Sequence, residues 1–128
     1  MPSDRAIRIE ADGVRLYAVL LGTPTADGVW EALPISGTAK RFGDEVYFEV
    51  AIRLPLEAGA RAEVEPGEIG FWPQGPAIAL FFGPTPMSRG SAPVAASPVN
   101  VFGRITGDAL RLARVREGAR IRLTRLEG

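Results

Sequence analysis

Residues 77–82 read Ala-Ile-Ala-Leu-Phe-Phe, six apolar side chains without a charge. A short run of this kind fits a strand that is covered on both faces. The run lies within residues 65–88, the most apolar and least charged stretch of the chain, which holds one of the two tryptophans and three of the six phenylalanines. Two strands are predicted there, 68–72 and 77–82, meeting at Gln74-Gly75-Pro76. A long irregular loop, rich in proline and glycine, is expected over residues 83–98. Residues 99–103 (Val-Asn-Val-Phe-Gly) are the expected partner strand.

The rest of the chain reads as strands around that centre. Residues 6–10 alternate, with Ile7 and Ile9 on one face, and residues 14–21 return after Asp12-Gly13, a tight-turn pair. Thr23 and Pro24 open a predicted helix of about three turns, Thr23 as the cap and Pro24 in the first turn. Val29, Trp30 and Leu33 would face the core, and Pro34 would end the helix. Residues 37–41 and 45–51 flank Gly43-Asp44 as a hairpin. Residues 52–64, interrupted by Pro55 and Gly59, predict a short strand or loop. Asp108 caps a second short helix, 108–115, with Leu110, Leu112 and Val115 on one face. Residues 120–126 close the pattern as a strand. About eight short strands and two short helices imply an all-β fold, an antiparallel closed eight-stranded barrel, because closure removes the sheet edges. The chain shows no linker and reads as one domain over residues 1–128.

Composition narrows the chemistry. There is no histidine and no cysteine. That removes thiol chemistry, histidine bases and most transition-metal sites, so no metal and no cofactor is expected. The formal net charge is zero, with no block of like charge, which predicts neither a nucleic-acid nor a membrane partner. The N-terminal residues carry neither a signal peptide nor a membrane span, so a cytoplasmic protein, monomer or homodimer, is expected. One lysine and only two amide side chains fit a thermophilic source.

Residues 67–88, GEIGFWPQGPAIALFFGPTPMS, followed by SPVNVFGRI and preceded by GDEVYFEV, resemble a small prokaryotic family of uncharacterised cyclophilin-like proteins. The resemblance covers most of the chain from Gly37 onward. It implies a closed eight-stranded barrel with a helix at either end. A fainter similarity reaches the peptidyl-prolyl isomerases. It implies that Phe82 stands where those enzymes line a proline pocket, and that Arg41 lies roughly where their catalytic arginine falls. Their FHR and FMxQGGD motifs are absent, and Val99 stands in place of their pocket histidine.

The candidate ligand-binding residues are therefore Trp72, Phe82, Thr85, Met87, Tyr47 and Arg41. Trp72 and Phe82 would line a cleft, although apolar side chains are more often core. Met87 adapts to irregular apolar surfaces, and the Thr85 and Ser88 hydroxyls would face a ligand or satisfy their own loop. Arg41 is the one weak catalytic candidate. Glu45, Glu49, Glu65 and Glu68 show no spacing that selects an acid–base pair and are expected to be exposed. Asn100, between valines, would be buried and bridge to the 83–98 loop. The leading expectation is a non-catalytic module that binds a small molecule or peptide in an apolar cleft. A weak prolyl isomerase and an interaction subunit of a larger assembly are the alternatives.

Overall fold

The computed structural model describes residues 5–126. The first hairpin is β1 (Ala6–Ala11) and β2 (Val14–Leu20). Asp12 and Gly13, with φ of 51° and 80°, make the turn. Positive φ at both central positions gives the twist that suits a two-residue hairpin. Strand alternation sends Ile7, Ile9, Leu16 and Ala18 to the core and arginines outward.

Helix α1 (Pro24–Ala32) starts as its sequence predicts. The Ala26 N–H donates to the Thr23 hydroxyl, and the helix stops at Leu33, before Pro34. Val29 and Leu33 are buried, and Trp30 packs at the core margin. β3 (Ile35–Thr38), β4 (Lys40–Arg41) and β5 (Glu45–Glu49) follow. Then come β6 (Arg61–Glu63), β7 (Glu68–Trp72) and β8 (Ala77–Phe81). β9 (Val94–Ile105) is twelve residues long, and a 3-10 helix (Ala109–Arg114) leads to β10 (Arg120–Arg125).

The all-β class with two short helices stands, but the expectation of a closed eight-stranded barrel is overturned. The described residues form ten strands in an open order, β3-β10-β1-β2-β9-β7-β8-β5-β4, with β6 beside β9 off that path. The reason lies in how residues 35–41 divide their pairing. β3 pairs with β10, and β4 pairs with β5. Between them Ala39 bonds to the turn before β10, its N–H donating to Ala119 O and its own carbonyl accepting from Gly118. No described strand ladder joins the two ends.

Three further expectations are corrected. The irregular loop ends at Pro93 rather than Pro98, because β9 begins at Val94. Pro98 is exposed there, and proline is tolerated in a strand where no N–H is required. Leu110 is 64% exposed while Leu112 and Val115 are buried. A 3-10 helix repeats every three residues, so 112 and 115 share a face that excludes 110. Asn100 is buried, but it bridges elsewhere. Its amide donates to Thr25 Oγ1 and Pro55 O, and its oxygen accepts from the Glu57 N–H. It therefore ties α1 and the 51–60 segment to the sheet.

The strands β5, β8, β7 and the second half of β9 are covered on both faces. Val46, Phe48, Ile69, Phe71, Ile78 and Leu80 point into the main core. Ala79, Phe81 and Val99 point the other way into a second cluster with Val64 and Ala95. The first half of β9, paired with β6, folds over that second face. No helix among the described residues is long and apolar enough to cross a membrane.

Candidate functional site

A cavity of about 190 Å³ lies under that fold-over. Its floor is the outer face of the sheet: Glu45 and Tyr47 from β5, Ala77 and Ala79 from β8, and Trp72 from β7. Its walls are Phe42 and the β9 residues Ala95, Ala96, Ser97 and Val99. The space exists because the floor residues are small. Ala79 stands opposite Gly70 across the β7–β8 ladder. A Cβ on Gly70 would lie 2.7 Å from a Val99 methyl, so only glycine lets β9 settle this close. A smaller hollow of about 80 Å³ shares Trp72 and Ser97 and runs on against Leu56, Pro73, Gln74 and Pro98.

Two polar atoms interrupt the apolar lining. Glu45 Oε1 and Ser97 Oγ are buried and find no hydrogen-bond partner among the described residues. Glu45 is 8% exposed, which corrects the expectation of a solvated carboxylate. Burial pushes its carboxyl up to about 7, because desolvation penalises the charged form and no cation is at hand to offset it.

The expected site residues divide into three groups. Tyr47 and Trp72 line the cavity, with the Trp72 Nε1–H donating to Gln74 Oε1 at 3.1 Å. Arg41 and Phe82 sit together elsewhere, the guanidinium 5.2 Å from the centre of the Phe82 ring. Arg41 stands opposite Val46, and directly opposed residues share a face. Its side chain therefore leaves from the face opposite to Glu45. Its guanidinium donates to Val115 O at 3.0 Å and to Gly43 O at 3.0 Å, and Phe82 belongs to the main core. Thr85 is buried in its own loop. Its N–H donates to Ser88 Oγ, and its hydroxyl donates to Val94 O and accepts the Met87 N–H. Met87 is half exposed on that loop.

Glu45, expected to be exposed, completes the cavity together with residues that the sequence did not single out: Ser97, Phe42 and the alanines. A local signal existed for the alanines. Ala77 and Ala79 alternate with Ile78 and Leu80, which marks a face with room on it.

Glu68, on the same outer face, is the opposite case. Only 4% exposed, it accepts two hydrogen bonds from Arg61, at 3.0 and 2.9 Å, and one from Arg104 at 3.2 Å. The Glu65 N–H donates to it as well, at 2.8 Å. Burial pushes its carboxyl up, but these hydrogen bonds and the two arginine charges together outweigh burial and hold it below the ordinary value.

The chain matches the cyclophilin-like family over residues 5–124 and belongs to that family. A hypothetical protein from Archaeoglobus fulgidus, known from a solution structure, is 34% identical to it. That match covers 96% of this chain and 95% of the other, with a TM-score of 0.80. McbB, solved in complex with tryptophan, superposes with a TM-score of 0.71 at 18% identity. The match covers 95% of this chain but only 45% of McbB, and it concerns the fold alone. No protein of curated function matches the sequence.

Proposed function

We propose that the protein is a binding module that holds a small molecule, or one side chain of a peptide, in the cavity between β5, β7, β8 and the first half of β9. The carrying observation is the composition of that cavity. It is an apolar concavity with a few convergent polar atoms, which is the usual make-up of a ligand site. Buried polar atoms are nearly always hydrogen-bonded, so a ligand group meeting Glu45 and Ser97 would complete them. The volume suits a fragment-sized guest, below the range of drug-sized pockets.

Prolyl isomerisation draws no support from this geometry. An isomerase needs a donor aimed at the twisted peptide. The Arg41 guanidinium is committed to backbone carbonyls on the other face of the sheet.

Native mass spectrometry of the protein purified from its own host tests the reading. A small-molecule adduct on the wild type that is lost on Ala96→Phe, which narrows the exposed wall of the cavity, is the expected result. An adduct that survives this substitution would place the ligand elsewhere. If the wild type carries no adduct and takes up no small aromatic probe, the module reading fails.

A further inference from the structure

The cavity holds a carboxylate without a counter-charge. Among the described residues no salt bridge reaches Glu45, and the other cavity residues carry no cation. The charged groups around it are occupied. On the hairpin, Lys40 lies 3.7 Å from Glu49 and Arg41 lies 3.8 Å from Asp44. On β6, β7 and β9, Arg61 and Arg104 are bound to Glu68, with Glu65 beside Arg104. That group of two arginines and two glutamates sums to zero, and Glu63, also on β6, is exposed and adds no cation. β8 contributes no ionisable side chain. Tyr47, the other ionisable side chain in the lining, has no cationic form.

Three aromatic rings, Phe42, Tyr47 and Trp72, line the same space as the carboxylate. Aromatic faces attract cations, most strongly where water is excluded, and cages of aromatic rings are the standard receptor for ammonium groups. A buried anion combined with such rings selects positive charge twice over. Ser97 Oγ offers a further acceptor for an N–H. Resting on the binding-module reading, we infer that this cavity takes an organic cation, an ammonium carried on a small apolar body, with its nitrogen against Glu45. The ammonium of a free amine and that of a lysyl side chain share this chemistry.

The inference has a pH signature. The cation binds the ionised form of Glu45, whose carboxyl is pushed up to about 7 by burial. Moving from pH 8 to pH 6 takes the ionised fraction from about nine-tenths to about one-tenth, so affinity falls about tenfold. A neutral guest of the same shape shows no such loss.

Isothermal titration calorimetry on the full chain provides the test, with phenethylamine, Nα-acetyl-lysine amide and neutral 2-phenylethanol as probes. The expected result is that one or both cations bind at pH 8 at least tenfold more tightly than the alcohol. That binding weakens about tenfold at pH 6, and Glu45→Gln removes both the preference and the pH dependence. Which cation binds separates a free-amine ligand from a lysyl side chain. Thermal unfolding of Glu45→Gln confirms that the variant is folded. Ser97→Ala, which leaves the charge in place, should keep the pH dependence. If the alcohol binds as well as the amines, or if Glu45→Gln leaves amine affinity unchanged, the cation inference is overturned while the binding module stands. If none of the three probes binds, the cation inference falls, and the module reading falls with it only if the native mass spectrum also shows no adduct.

Discussion

Glu45 and Glu68 are both buried on the outer face of one sheet. Each begins a strand flanking β8, so two strand spacings, about 10 Å, lie between them. Glu68 is gripped by two arginines and a backbone amide. Glu45 has an oxygen with no partner among the described residues. Their carboxyls move in opposite directions from the ordinary value. The lesson is that burial alone does not say what an acidic residue is for. A carboxylate that is fully hydrogen-bonded joins strands. One left short of partners in a hollow costs stability and leaves an oxygen open to a hydrogen-bond donor.

The largest expected effect comes from breaking the unpaired side. The unfolded chain releases the Glu45 proton near the ordinary value of 4.5, the folded chain only at about 7. Between these values the folded form holds more protons, so the stability contributed by this group is full below 4.5 and is lost as pH rises through 7. Glu45→Gln should therefore be more stable than the wild type by about 3 kcal/mol at pH 8.5 and nearly equal to it at pH 4, on order-of-magnitude linkage. Denaturant melts at the two pH values measure this. Equal stability at both would show that the carboxylate is compensated.

Glu68→Gln should act with the opposite sign. It removes hydrogen bonds to charged groups and leaves both arginines short of an acceptor, at a cost of about 2 kcal/mol at pH 7. The depressed carboxyl means that the stability from Glu68 is present above the ordinary carboxylate value and is lost as pH falls through its lowered one. The gap between variant and wild type should shrink in acid. A gap that widens in acid would reverse the assignment of the two glutamates.

The smallest effect is expected from Arg104→Ala. Its side chain is half exposed and reaches Glu68 at 3.2 Å. Water screens such a pair, so the loss should be about 0.5–1 kcal/mol. A loss as large as that of Glu68→Gln would mean that Arg104, and not the two-pronged contact from Arg61, neutralises the site.

Much of the scaffold was legible because its determinants are local. The Thr23–Pro24 cap, the Asp12-Gly13 turn and the two-sided strand around Ile78 each depend on residues within a few positions of one another. The hidden glutamate does not. Glu45, Tyr47 and Glu49 alternate as a solvated face would, and only Glu49 is solvated. What covers Glu45 is the start of β9, far along the chain, in a stretch whose prolines read as loop. The open ladder was equally out of reach, since it turns on Ala39 choosing the turn at residues 118–119 over a neighbouring strand. Phe82 and Arg41 drew attention through the isomerase resemblance, and here they form a packed pair behind the sheet.

From residue 99 to 102, β9 serves two chambers by turns. Val99 and Val101 pack on the cavity side, and Asn100 and Phe102 on the core side. Change within these four residues is thereby sorted by parity. Exchanging Val99 or Val101 alters the cavity side, while Asn100 and Phe102 keep the core side and the tie to α1. A one-residue insertion would hand each set the other's surroundings. Descendants of this sequence can thus drift in the lining of the cavity without drifting in how they fold, so long as the count of residues through this strand is kept.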